Sequence, residues 1–379
     1  MTESSAKTLT LIAEGRCADP LPLRDGTAKP ITGSSKPHLW IRTAAGPSIG
    51  YGHLKRSLVL AKRLEGSVQP VFLLDSSDVG SRSQVAAQGW RIEPFKPIRL
   101  WSRLPLPDGV LIDTRETTGL VQLVEGARAR EIPVLSIHDL GLNPLPSDVV
   151  IDGSILPSSE GFCHSDASLY TGTSYLVLEP VYAFLHEQPR RISARIESLV
   201  VNLGGGDSGG CFVKVLEGLR LWGRDIEVVG VPGFACWGQS ELARSDWGSV
   251  HFRWATPDES LAHLLFRADL AVTAGGLAAF EALCAGTPAM ALSVDKHQHI
   301  TVQTLARSGA CAALGFMNDF KPVQLPELIS KIDADRAKRG KMSRSGRRIV
   351  DGLGAERVSH IIQQCVFKHS GTGRAGKSE

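Results

Sequence analysis

Three stretches of the chain carry side chains whose type and spacing suit chemistry. In Gly50-x-Gly52-His53-x-x-Arg56 a histidine stands where a helix begins, because Leu54, Leu58, Ala61 and Leu64 keep helical spacing from there on. The positive end of the helix dipole disfavours an imidazolium, and a neutral imidazole can accept a proton from water or a hydroxyl. The bland alternative is a histidine that caps its own helix. Gly50 and Gly52, with Gly46, keep the preceding loop tight and open to a ligand. The second stretch is Gly275-Gly276 followed by a short amphipathic helix, Leu277 to Ala285, with Gly286 as its C-cap and Pro288 as its stop. Glycines at a helix N-terminus let a phosphate approach the free backbone N–H groups. Glu281 lies a turn and a half into that helix, where a carboxylate can take two ribose hydroxyls, unless it is an ordinary surface residue. The third stretch is Gly204-Gly-Gly-Asp-Ser-Gly-Gly210. Gly205 and Gly206 can offer N–H groups to a phosphate or sugar, and Asp207 can orient a hydroxyl or cap the helix that follows.

These stretches need a scaffold, and the periodicity supplies one. Apolar runs at 38–43, 71–74, 109–113, 134–137, 149–152 and 175–178 alternate with helical patterns. A second series follows at 198–203, 225–231, 250–254, 270–272 and 289–294. Such alternation predicts an α/β chain with two doubly wound parallel sheets. Ligands sit at the carboxyl ends of strands in these sheets. Asp75, Asp113 with Thr114 and Arg115, His138 with Asp139, and Asp152 fall at those ends, as sugar ligands or as helix caps. The expected organisation is an irregular extension over 1–37, a first domain over 38–190 and a linker near His186 to Ala194. A second domain over 195–345, a C-terminal segment over 346–368 and a polar tail over 369–379 complete it.

At 379 residues the chain has room for two cores. A net charge of +3 is too small to argue for nucleic acid, and no apolar run spans a bilayer. Seven scattered cysteines without a CxxC pair read as reduced thiols of a cytoplasmic protein. Cys163-His164 and His297-x-His299 lack a partner pair at metal-ligand spacing, so no metal site is expected. Arg336 to Arg348 reads as a solvated basic helix, with contact to an anionic membrane surface as the sharper alternative.

Gly275-Gly276, Glu281, Gly286-x-Pro288 and Gln298, followed by Ser308-Gly309-Ala310, resemble the nucleotide-sugar half-site of the GT-B superfamily. In particular they resemble glycosyltransferase family 28 and the related UDP-sugar hydrolases of the pseudaminic acid and spore-coat polysaccharide type. Gly50-x-Gly52-His53-x-x-Arg56 resembles the first βα loop of those hydrolases. The strand-Gly-Gly-x-Asp at 198–207, Gly172-x-x-Tyr175 and Val350-Asp-Gly-x-Gly-Ala resemble further segments of the group, so the resemblance covers about residues 38 to 366.

The resemblance implies two Rossmann-like domains facing a cleft. It implies His53 as the general base that activates water, Gly275 and Gly276 on the diphosphate, and Glu281 and Gln298 on ribose or sugar hydroxyls. Gly50, Gly52, Arg56, Asp113, Arg115, Gly205, Gly206 and Asp207 become substrate-binding candidates, and backbone near Arg253 to Thr256 borders uracil. The chain departs from the hydrolases in having Leu277 and Ala278 after Gly-Gly, and Asp113-x-Arg115 where they carry Asp-x-Tyr. The expected activity is hydrolysis of a UDP-linked amino-deoxy sugar, with no cofactor and no metal. The alternatives are an inverting glycosyltransferase and a non-catalytic nucleotide-sugar-binding protein.

Overall fold

The computed structural model describes residues 36–46, 50–116, 118–139, 145–155, 167–204, 210–233 and 239–375. The N-terminal extension up to residue 35, Cys163-His164, and Gly205, Gly206 and Asp207 lie outside the described residues.

Two parallel sheets carry the chain from Lys36 on, within one compact unit. The first holds β1 (His38–Thr43), β2 (Gln69–Leu74), β3 (Arg91–Pro94), β4 (Gly109–Asp113), β5 (Val134–His138), β6 (Val149–Asp152) and β7 (Ser168–Thr171) in the order β3-β2-β1-β4-β5-β6-β7. The second holds β8 (Ser198–Asn202), β9 (Ile226–Gly230), β10 (Val250–Trp254), β11 (Leu270–Ala274), β12 (Ala289–Ser293) and β13 (Cys311–Phe316) in the order β10-β9-β8-β11-β12-β13. Both orders reverse once, at β1/β4 and at β8/β11. A reversal opens a crevice at the carboxyl edge, because the helices leave to opposite faces on either side of it. The helix Gly52–Leu64 follows β1, and the helix Leu277–Ala285 follows β11. Both glycine stretches therefore stand at switch points.

The apolar run at 175–178 is not a strand. Thr173–Tyr175 forms a 3-10 turn, and an extended crossing segment follows it. Val177 packs into the core of the first sheet, whereas Leu176 and Leu178 pack into that of the second. The run is apolar on both sides because it passes between two cores. The actual edge strand, β7, is Ser-Leu-Tyr-Thr, with no fully buried residue and so no apolar signature.

The helix Leu277–Ala285 is not amphipathic either. Ala278 to Ala285 are all buried. Helices Pro180–Glu187, Leu261–Arg267 and Arg336–Ile349 enclose it against the sheet. Glycine allows the closest of these contacts: a Cβ at Gly346 would meet Leu283 Cγ at 2.9 Å.

The basic helix Arg336–Ile349 has the expected solvated face, with Arg336, Lys338, Lys341, Arg344 and Arg348 exposed, but two of its arginines turn inward. Arg339 is 1% exposed and donates to the carbonyls of Ile332, Asp333, Ser193 and Ala194. Arg347 donates to those of Gln188, Leu185 and Ala285. These arginines fasten the linker, whose irregular backbone offers carbonyls that no ladder uses. Val350 ends that helix in an extended conformation, and Gly352, in the left-handed region at φ 80°, turns the chain toward the next one. The helix Gly354–Ala375 crosses back, with Val358, Ile361, Ile362 and Val366 in the first core. It continues past the expected start of the tail, through Gly371 and Gly373, with no proline to stop it.

Candidate active site

A cavity of about 310 Å³ lies where the two switch points face each other. Gly50, Tyr51, Gly52, His53, Arg56, Arg115 and Asp139 line it from the first sheet. Gly204, Gly275, Gly276, Leu277, Asp295, His297 and Gln298 line it from the second. Two helix N-termini open on it, behind Tyr51 and behind Gly276, and neither has a side-chain cap. Their N–H groups favour negative charge in the space between them.

His53 is 6% exposed and its Nδ1 lies 2.7 Å from Asp113 Oδ1. Arg56 Nη2 also approaches Nδ1, at 2.9 Å. A guanidinium can only donate, and an unprotonated Nδ1 would set its lone pair against the carboxylate at 2.7 Å. The carboxylate therefore fixes the tautomer: Nδ1 carries the proton and Nε2 is the acceptor. Nε2 lies 3.8 Å from Asp139 Oδ2, on the side of that cavity-lining carboxylate.

Arg56 is brought to the cavity wall, whereas Asp113 lies behind it and does not line the cavity. Asp113 is wholly buried, and Arg56 is 7% exposed. Arg56 Nε and Nη2 donate to Asp113 at 3.1 and 2.7 Å, and Nη1 donates to Asp139 Oδ1 at 2.7 Å. Burial works against charge on Arg56, yet Asp113 and Asp139 outweigh it and raise its pKa. Burial likewise opposes charge on Asp139, but Arg56 first, then His53 and Arg115, hold its carboxyl well below the usual range. The helical period places Arg56 on the face of His53, three residues on, so one pair of carboxylates serves both.

Glu281 is placed differently from the expectation. It is 3% exposed, does not line the cavity, and accepts from Lys55 Nζ at 2.6 Å. Its helix is enclosed on all sides, so a carboxylate one turn down cannot face the cleft. Gln298 does line the cavity; its Oε1 accepts from Val294 N–H, and a Cβ at Gly276 would meet its Nε2 at 3.3 Å. Gly275 packs so closely that a Cβ there would collide with Val302 Cγ2. Arg115 reaches toward the second sheet, 3.6 Å from Asp295 Oδ2, whose other oxygen caps the helix Lys296–Arg307 at Gln298 N. Thr256 N–H donates to Glu259, and Arg253 to Thr256 do not line the cavity.

Asp139 and Lys55 are the residues that the sequence did not single out for these roles. The position of Asp139 just beyond β5 was a usable signal. Lys55 had none, since a lysine on an amphipathic helix reads as solvated.

Seven parallel strands facing six, with the cavity between the two switch points and a C-terminal helix returning to the first sheet, give this chain the GT-B fold. Its fold matches that of MurG from Acinetobacter baumannii, with a TM-score of 0.63 and 18% identity over 87% of this chain and 100% of that one. It also matches the UDP-GlcNAc 2-epimerase of Neisseria meningitidis bound to UDP-GlcNAc, with a TM-score of 0.56 and 13% identity over 86% of this chain and 100% of that one. In sequence the chain is 30% identical to the spore coat polysaccharide biosynthesis protein SpsG of Bacillus subtilis. That match spans 220 residues, 57% of this chain and 65% of SpsG. No protein-family profile matches the chain. Among the described residues, no helix is long and apolar enough to cross a membrane, and no three His, Cys, Asp or Glu side chains are grouped to hold a metal ion.

Proposed function

We propose that this protein processes a UDP-linked sugar, with His53 as the general base and UDP as the leaving group. The observation that carries the reading is the His53–Asp113 contact, which leaves Nε2 as a proton acceptor opposite the uncapped helix N-terminus at Gly275 and Gly276. In this reading Nε2 takes a proton from water, the oxygen attacks the anomeric carbon, and the bond to the diphosphate breaks. The N–H groups behind Gly276 take up the charge that develops on the diphosphate. Gln298 and Gly204 line the sugar and phosphate side. Free, buried Cys211, Cys284 and Cys311 suit a reducing compartment, so the proposal is a cytoplasmic enzyme. Similarity to SpsG supports polysaccharide biosynthesis as the setting, and UDP-linked amino-deoxy sugars are the donors this reading puts first.

One observation favours transfer to an acceptor as a second reading. A neighbouring cavity of about 670 Å³, lined by Arg42, Asp75, Phe95 and Glu116, shares Tyr51 with the first and offers room for a second substrate.

The test is UDP release from a panel of UDP-linked amino-deoxy sugars, without acceptor, by the wild type and His53→Ala. Release that depends on His53 supports hydrolysis. Release that begins only when a sugar acceptor is added favours transfer, and absence of UDP binding refutes both readings.

A further inference from the structure

The helix that begins with His53 is used on two faces. His53 and Arg56 turn to Asp113 and Asp139. Lys55, two residues on and so about 200° around at 3.6 residues per turn, points the opposite way. Its ammonium meets Glu281 Oε1 at 2.6 Å and Glu179 Oε1 at 3.0 Å. Glu281 lies one turn below Leu277, on the helix whose N-terminus lines the cavity. Glu179 is the N-cap of the helix Pro180–Glu187, and buried Tyr182 of that helix lies beside Glu281. One ammonium thus joins the helix of the base, the helix of the phosphate cradle and the crossing segment.

We propose that Lys55 is a positioning residue: through Glu281 it sets the spacing between His53 and the Gly275–Gly276 cradle. The inference rests on the reading of His53 as a base and of the cradle as the leaving-group site. Stability alone does not account for the pair. The Glu281 end is buried while Lys55 is about a third exposed, and an ion pair with a buried partner is a weak source of stability compared with an apolar contact of the same shape, but it demands one geometry. The two groups it links are those whose separation governs in-line attack, where a misplacement of about 1 Å costs roughly a hundredfold in rate.

The test compares the wild type with Lys55→Met, Lys55→Arg and the double variant Lys55→Met/Glu281→Gln. Turnover, UDP affinity by calorimetry, and thermal stability are the readouts. Lys55→Met leaves a carboxylate buried without its partner, and its instability alone would prove nothing. The double variant removes both charges and regains thermal stability. The expected result is that its kcat still falls about tenfold to a hundredfold, with UDP affinity within about twofold of wild type, while Lys55→Arg keeps most activity. Recovery of kcat together with stability in the double variant would make the pair merely structural and overturn the inference. Intact kcat with weakened UDP binding would make Glu281 a nucleotide ligand instead, and overturn it too. Small-angle scattering with and without UDP judges the pair without any turnover. A more open double variant is expected, and identical profiles refute the positioning role. Wild-type protein that releases no UDP would sink the proposed function, while scattering still decides on Lys55.

Discussion

Asp113 Oδ1 stands 2.7 Å from His53 Nδ1, and the same carboxylate takes Arg56 through both oxygens. The pair forms a unit: the carboxylate has no solvent exposure, and the ring has one tautomer that suits it. Asp113→Asn keeps the shape but offers an amide that can present its N–H to the ring, which then favours the wrong tautomer. We expect kcat to fall roughly 10²-fold to 10⁴-fold, the range of general base catalysis. His53→Ala should lose as much, and the double variant no more than either alone. UDP affinity should hold in all three. Additive losses in kcat would show that Asp113 and His53 act separately.

Gly275 has no room for a methyl group. An added Cβ would collide with Val302 Cγ2 and come within 3.3 Å of the carbonyls of Gln298 and Leu292. Val302 is buried and stiff at χ1, so the helix Lys296–Arg307 has to move. Gly275→Ala should cost about 1–3 kcal/mol of stability and weaken UDP binding, because Gln298 moves with that helix. Val302→Ala in the same chain should restore most of the stability. A single variant with unchanged melting temperature and UDP affinity would contradict this packing argument.

The two sheets and most of the cavity were legible because their signals are local. The apolar runs at 109–113, 149–152 and 250–254 coincide with β4, β6 and β10. His53, Gly275 and Gly276 reach the cavity because glycine-flanked helix starts at switch points face it, and Gln298 reaches it from the first turn of the helix after β12. What the sequence hid is tertiary. Asp113 read as a sugar ligand, since nothing local says that Arg56 and His53 consume its oxygens. Glu281 read as a ribose ligand, since its enclosure depends on helices from three other parts of the chain. Within the basic run at 336–348, Arg339 and Arg347 read as solvated like their exposed neighbours, since the linker carbonyls they satisfy lie about 150 residues away.

Asp139 gives the site a definite acid response. Arg56 and its neighbours hold the folded-state carboxyl below its ordinary range. The stabilisation is therefore fully present above the unfolded-chain value, about 3.9, and is lost as pH falls from there toward the folded-state value. Asp139→Asn lacks this contribution at every pH. Urea unfolding should show the variant less stable than wild type at pH 7, with the gap narrowing at pH 3. A gap that widens on acidification would mean the sign is wrong and that Asp139 is not the ionised partner of Arg56.

Arg347 ties the end of one helix to the end of another. Its guanidinium donates to Gln188 and Leu185 at the close of the helix Pro180–Glu187, and to Ala285 at the close of the helix Leu277–Ala285. These carbonyls lie at helix C-termini, where Leu185 O already accepts from Gln188 N–H, and a cation there also meets the negative end of each dipole. Gly286, at φ 75°, leaves the space the guanidinium fills, for a Cβ there would strike Arg347 Nε. Lysine keeps the charge but not the planar fork, so it cannot reach both helix ends at once. Arg347→Lys should cost about 1–2 kcal/mol, and Arg347→Ala about 2–3 kcal/mol, since hydrogen bonds to charged groups contribute that much and the alanine leaves carbonyls unpaired. Neither substitution touches the cavity, so UDP affinity in the folded variants should match wild type. Equal stability of the lysine variant and wild type would show that charge at the helix ends, rather than the fork, is what the linker needs.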